Sequence, residues 1–584
     1  MISSLILVIG FAQEKNDSTK RKSSTFKAIH KGLDLISTHQ KDTILNELST
    51  DAFKAFENKI IRNINVEFIG FERSIYDSTK RVNKVITVLA DALHGSTKER
   101  IIRNHLFVKK GKPLNPYLLA DNERFLRDID FIMDARLVVT PIEGTDSVDV
   151  TAVTRDIFSL GARVGGSPSA PEVSIYDANL AGEGQRVEFS GLIDGSRNPP
   201  FGYSAFYRKR SLLGSFIDVE MGYTELNSGT SFGDENEFAY FISFDRPLVS
   251  PYFRMAGGLE VSDNWSENVY RKPDSIFFFF FYKIFDAWIG YNLGIKNSFS
   301  NRNRYFIALR YLDGFFVESP DQEQYEDDRD YNSIKGALAE FTFYRKNYYK
   351  TRYVYGFGRT EDVPYGITAA ITTGYLTELH VDRPYAAVKL NYGEASKEGN
   401  FYLLNFQTGG YLNHSTLEDV LVTATASYYT KAWNLSRSKL RGYISGGYSQ
   451  LFHRTSNNYL NIRKNEVRGI SADSLRGDQR FSLRFETTLY TPGSILGFRF
   501  APFVGTDWAS LACINCNEKR PSIFGINAGI RTRNENLIFG TIEFRFIYIP
   551  DDGTDNDQFR VEFRQNLRVK STGSFAEKPR LVSN

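Results

Sequence analysis

Chemistry needs reactive side chains at fixed spacings, and this 584-residue chain offers few of them. Its two cysteines, Cys513 and Cys516 in "ACINCNEK", have the spacing of half a zinc site or of a redox pair. A structural zinc site takes four ligands, and no other Cys or His lies nearby in sequence. A small loop disulfide or two idle thiols is expected. "GTSFG", Gly229 to Gly233, fits the G-x-S-x-G pattern. A nucleophile elbow, however, has a strand before it and a helix after it, and the following "DENEFAYFISF" reads as a strand. The acidic loop "PDQEQYEDDRD", Pro320 to Asp330, lacks the glycine and terminal glutamate of an EF-hand. No enzyme, metal or cofactor is expected.

"VRGISADSLRGDQRFSLRFE", Val467 to Glu486, is suited to a different task. It sets two Arg-Gly pairs in a polar loop and then runs into strict apolar and polar alternation. A guanidinium can satisfy two carboxylates with bidentate geometry where lysine cannot, and the adjacent glycine lets the backbone turn tightly. Such a pair can hold a loop against a charged wall.

Composition indicates what kind of wall. Forty-seven Phe and 33 Tyr stand beside 24% charged residues, which suits strands whose two faces meet different solvents. Net charge is +3, from 72 basic and 69 acidic residues spread along the chain, so no basic field points to nucleic acid. The longest apolar run, "IFFFFFYKIF" from Ile276 to Phe285, is broken by Lys283 and is too short for a membrane helix. Residues 1–13, with an apolar stretch from Leu5 to Phe11 and Ala12 behind it, read as a signal peptide without a positive front end.

Residues 14–58 read as a linker with one amphipathic, helix-like patch, "FKAIHKGLDLISTHQ". Residues 59–156 have the order β-α-α-β-β of one small α+β domain: "KIIRNINVEFIGF", "RVNKVITVLADALHG", "NPYLLADNERFLRDI", "ARLVVTPI" and "VDVTAVTRD". Asn115 and Pro116 mark the start of the second helix. From residue 157 to 570 the helical period disappears, and segments of about ten residues alternate with turns. In "FRVEFRQNLRV", Phe559, Val561 and Phe563 alternate with Arg560, Glu562 and Arg564. Charges on one face, oil-facing residues on the other and aromatics at the strand ends predict a transmembrane antiparallel β-barrel. About twenty strands can be read from Arg186 to Val569. Short connections ("RPLVSP", "YTPGS") and long ones ("NSGTSFGDENE", "DDGTDNDQ") are expected at opposite rims. Residues 571–584 trail behind as a tail.

A small β-α-α-β-β domain, then "NLAGEGQ" (Asn179 to Gln185), a barrel and a late "VRG" loop together resemble the BamA/TamA family of outer-membrane assembly and translocation proteins. The resemblance runs from about Lys59 to Lys570. "KKGKPLNPYLLADNERFLRDIDFIMDARLVV" is the most characteristic part of a POTRA-like domain. The resemblance implies a sixteen-stranded barrel of the bacterial surface antigen type in the outer membrane of a Gram-negative bacterium, with the POTRA-like domain in the periplasm. It implies that the loop carrying Val467, Arg468 and Gly469 folds into the lumen, where Arg468 pairs with the positions that match the family's acidic partners, Glu486 and Asp507. It also implies a weak lateral seam between a first strand near Arg186 to Leu192 (Arg186, Val187, Phe189) and a last strand near Phe559 to Val569 (Phe559, Val561, Phe563).

By the same likeness, the barrel assembles, inserts or translocates proteins by strand addition at that seam. The POTRA strand with Val148, Val150 and Val153 would be an edge that docks clients. Expected partners are unfolded outer-membrane or exported proteins, outer-membrane lipid, and periplasmic chaperones or lipoproteins. The alternative is a passive porin or a substrate-specific transporter. Two features depart from the family pattern: one POTRA-like domain where assembly-complex members carry several, and the tail after the last strand.

Overall fold

The computed structural model describes residues 47–69, 73–74, 77–81, 97–167, 169–226, 235–294, 299–300, 302–322, 328, 331–455, 459–470, 475–495, 498–512, 522–534, 541–551, 558–565 and 574–582. The signal segment, the patch "FKAIHKGLDLISTHQ", residues 82–95 of the first helix, "GTSFG", the cysteine pair and part of the acidic loop lie outside these residues.

The small domain contains β1 (Ile60–Ile69), α1 (Glu99–Asn104), α2 (Pro116–Arg127), β2 (Ile132–Pro141) and β3 (Ser147–Asp156). Helix α2 begins as its sequence dictates. The Asn115 side chain accepts hydrogen bonds from the amides of Tyr117 and Leu118, at 3.0 and 3.2 Å, and Pro116 fills the first position. Leu119 and Leu126 drop into a core with Ile102, Leu114, Ile132, Val148, Val150 and Ala152.

The sheet order is β1-β3-β2, with β3 parallel to β1 and antiparallel to β2. The expectation of an edge at Val148, Val150 and Val153 is therefore corrected. β3 is the central strand, and Val148 and Val150 are 0% exposed. The crossover through the helices brings the first strand beside the last, while the short hairpin already holds β2 on its other side.

The second sheet is a ladder of antiparallel strands. In chain order it runs β4 (Leu160–Ser167), β5 (Ala170–Asp177), β6 (Gln185–Ile193), β7 (Phe201–Lys209), β8 (Asp218–Thr224), β9 (Glu237–Arg246) and β10 (Met255–Ser266). It continues with β11 (Phe281–Leu293), β12 (Arg304–Glu318), β13 (Ile334–Thr351), β14 (Glu361–Glu378), β15 (Val381–Ala395), β16 (Phe401–Asn413) and β17 (Thr416–Tyr429). It ends with β18 (Ser438–Phe452), β19 (Gln479–Tyr490), β20 (Phe498–Ala512), β21 (Ser522–Asn534), β22 (Thr541–Tyr548) and β23 (Phe559–Arg564).

Among the described residues this is a nearly closed, barrel-shaped sheet of twenty successive strands, β4 to β23, where sixteen were expected. It also starts earlier than expected. The Gly- and Pro-containing sequence around "VGGSPSAP" conceals the hairpin β4–β5, whose Val164, Val173 and Ile175 point outward.

Burial along the strands is inverted relative to a soluble sandwich. In β21 Phe524, Ile526 and Ile530 are exposed while Asn527 and Arg531 are buried, and in β22 Phe544 and Phe546 are exposed while Glu543 and Arg545 are buried. The apolar face looks outward and the charged face lines the interior, as in a barrel with oil outside. Successive turns alternate between two rims. "RPLVSP" and "YTPGS" fall on the rim where the small domain enters, while β8 ends and β9 begins on the other. That far rim also carries two-residue hairpins, Leu379–His380 and His414–Ser415, all four residues with φ between +43° and +74°.

Candidate functional site

The connection from β18 to β19 turns into the barrel. Its Leu460–Asn461 pairs with Arg476–Gly477, and its tip buries Ile462, Val467 and Ile470 against Ala509, Leu511, Ile523, Ile547 and Ile549 on the inner wall of β20–β22 and just beyond it. Arg468 lies between the two carboxylates implied for it. Its Nη1 donates to Asp507 Oδ1 at 2.9 Å, its Nη2 stands 3.2 Å from Glu486 Oε2, and its backbone amide donates to Asp507 Oδ2 at 3.1 Å.

Gly469 adopts φ +82°, and a Cβ there would stand 2.9 Å from Ile547 Cδ1. Its amide donates to Glu562 Oε1 at 2.9 Å, and its carbonyl accepts from Arg560 Nη1 at 2.6 Å. The turn that glycine permits thus ties the loop tip to the last strand.

Sequence reasoning missed most of the surrounding network. Glu486 also receives Arg531 at 2.6 Å and Arg545 at 3.0 Å, and Glu543 receives the same two arginines at 2.7 and 2.9 Å. Asn527 accepts from Arg468 and Arg545. Three guanidinium groups therefore face three carboxylates with little solvent between them, a composition that keeps the buried charge balanced. The signal was present in "TIEFRF", whose polar alternates are Glu543 and Arg545, but nothing local says which wall they share.

The first strand of the ladder is not the one the sequence placed there. Arg186, Val187 and Phe189 belong to β6, which is paired on both sides; Phe189 opposes Ala205 of β7 and Ile175 of β5. Two antiparallel strands precede β6, so it cannot be an edge. Phe559, Val561 and Phe563 do lie in the last strand, in register with Tyr548, Phe546 and Phe544, and Phe559 and Val561 are 75% and 68% exposed. The last strand therefore faces β4. Among the described residues that junction has no residue-by-residue register, unlike the other neighbouring pairs from β4 to β23. Gln565 Nε2 donates to Ala162 O across it at 3.4 Å.

Helix α2 is the third component, and its charged face was also unanticipated. Instead of facing water, it seats on the barrel rim. Arg127 pairs with Asp362 at 2.7 Å, Glu123 with Lys350 at 2.6 Å and Asp121 with Arg302 at 3.1 Å. Arg124, 1% exposed, stacks 4.3 Å from the Tyr348 ring and donates to the Val249 carbonyl at 3.0 Å. Burial would raise the Glu123 carboxyl, but Lys350 and Arg127 outweigh it and hold the group below its ordinary 4.5.

No protein-family model and no curated protein matches this sequence. Among solved structures, the chain is similar to BamA from Haemophilus ducreyi lacking POTRA domains 1-3, at 11% identity and a TM-score of 0.30, covering 94% of each chain. It is also similar to CdiB from Escherichia coli, at 11% identity and a TM-score of 0.37, covering 87% of this chain and 76% of that one. For CdiB from Acinetobacter baumannii the values are 11% and 0.37, with 86% and 73% covered.

Proposed function

We propose that this chain is an outer-membrane β-barrel that assembles, inserts or translocates other proteins, in the manner of the BamA/TamA family it resembles. In this reading lipid faces the aromatic exterior, and the POTRA-like domain lies in the periplasm at the rim where α2 docks. Unfolded outer-membrane or exported proteins are the clients, with periplasmic chaperones or lipoproteins as further partners. The work is done by strand pairing and not by catalysis.

The observation that carries the reading is the β23–β4 junction. β23 and β4 are the two ends of the ladder, brought side by side; parted, each offers its backbone groups as a template for a client strand, and a bilayer makes that pairing compulsory because an unpaired edge there has no water. A porin would use an open lumen, whereas here the β18–β19 loop occupies it.

The test is a reversible lock. With Cys513 and Cys516 changed to Ser, Ala162→Cys and Gln565→Cys place a disulfide across the seam. Oxidation is expected to stop client insertion and reductant to restore it; full activity while locked overturns the seam mechanism. Depletion of the protein with unchanged levels of every other outer-membrane and exported protein overturns the function itself.

A further inference from the structure

Residues 574–582, "SFAEKPRLV", lie inside the barrel beyond the last strand. The segment starts at the rim where the small domain docks. There Phe575 N donates to the Leu248 carbonyl at 2.8 Å and Leu248 N donates to Ser574 Oγ at 3.1 Å. It ends at Val582, whose amide donates to Tyr385 Oη at 2.7 Å, next to the hairpin between β14 and β15. The turn after β9 and the turn after β14 belong to opposite rims, so the segment runs through the depth of the lumen. Nine residues reach at most about 30 Å, which matches the thickness of a hydrocarbon core of about 30 Å.

The wall reads this segment in two ways. Its backbone carbonyls accept from basic side chains: Ser574 from Lys346 at 3.1 Å, Pro579 from Arg310 at 2.9 Å and Arg580 from Lys389 at 2.9 Å. Backbone reading of this kind tolerates many sequences. Two side chains are recognised specifically. Phe575, 2% exposed, sits among the rings of Tyr344 and Tyr348 and the cations of Arg124 and Arg302. Lys578 Nζ donates to Asp286 Oδ2 at 2.6 Å. Leu581 and Val582 then pack on Leu338, Leu376 and Tyr385. A cavity of about 480 Å³ remains beside the segment, bordered by Asp245, Glu260, Trp288 and Glu577, so the wall leaves room for bulkier side chains than those present.

We infer that the inner wall from Leu248 to Tyr385 is a binding track for extended polypeptide, that residues 574–582 are its resident ligand in cis, and that an unfolded segment with an aromatic residue three positions before a lysine or arginine competes for it. The lumen is then closed by a removable occupant, whereas the β18–β19 loop is tied into the wall. Peptide binding to the barrel is measured without any client and stands or falls separately from the proposed assembly function.

The test uses the full chain and a form lacking residues 574–584, each reconstituted in planar bilayers and checked for folding by heat-modifiable gel migration. The truncated barrel is expected to conduct about tenfold more or better. A synthetic SFAEKPRLV peptide added from the small-domain side is expected to bind it and restore the low conductance, with weaker binding to the full chain, where residues 574–582 compete. Replacing the peptide's Phe with Ala, or its Lys with Glu, is expected to weaken binding roughly 30-fold, the scale of an anchor residue. In the full chain, Asp286→Asn is expected to raise conductance without loss of fold. A folded truncated barrel that ignores the peptide, or binds a scrambled version equally well, overturns the inference.

Discussion

Two five-strand stretches of the barrel wall hold their lumenal contents by different chemistry. On the stretch from β19 to β23, charges compensate one another within the wall and loop: Arg468, Arg531 and Arg545 against Glu486, Asp507 and Glu543. On the stretch from β11 to β15, wall pairs such as Arg310–Asp286 at 2.8 Å and Lys389–Glu340 at 3.4 Å also reach other parts of the chain: α2 through Arg302, Lys350 and Asp362, and residues 574–582 through Asp286, Arg310, Lys346 and Lys389. One stretch thus spends its buried charge on itself and its own loop, while the other also spends it on α2 and on the chain segment that crosses the lumen.

Four substitutions test that contrast. The largest effect is expected from Glu486→Gln, which strips three arginines of a shared counter-charge. Losing one member of a buried pair typically costs about 3–5 kcal/mol, read as a lower midpoint in urea unfolding monitored by gel migration. A cost no larger than that of Asp286→Asn would erase the distinction between the walls.

Gly469→Ala comes next, at about 1–3 kcal/mol, because a Cβ at φ +82° is strained and meets Ile547. New protease cleavage within residues 459–470 is the expected readout, with the 574–582 segment staying protected.

Arg127→Met should loosen α2 from the rim without unfolding the barrel, seen as faster amide exchange in α2 alone. Acid should do the same. Because Glu123 is held below its ordinary value, the stability it contributes is present above about pH 4.5 and is lost as pH falls through its lowered folded value.

The smallest effect concerns His105, inside the small domain. Burial lowers it from 6.5 to about 4, and its Nδ1 donates to the Ile101 carbonyl at 2.6 Å, so the ring is neutral in the fold. The unfolded chain binds the extra proton between those values, so this contribution is full above pH 6.5 and declines toward pH 4. His105→Gln should flatten the pH dependence of exchange in α1 over that window. It should leave the barrel wall unchanged.

Much of this was legible in local sequence. Alternation in "FRVEFR" and "TIEFRF" shows which residues share a face, because the side-chain period of a strand is two whatever it pairs with. Asn115 and Pro116 mark the start of α2 because capping is a matter of adjacent atoms. A charged face on α2 reads as solvated unless one knows what lies across from it. Arg531 and Arg545 read as generic lumenal cations for the same reason.

What the sequence alone determined, then, is period and punctuation: strands with an oil face and a water face, a capped helix, and a glycine beside an arginine where a loop must turn. The tertiary structure alone decided who meets whom. It put β3 in the centre of its sheet, moved the first barrel strand to β4, joined the loop tip to Glu562, and led residues 574–582 through the lumen. Those outcomes depend on closing contacts between residues hundreds of positions apart. Local propensity carries no information about which of the many possible partners a face or an edge will find.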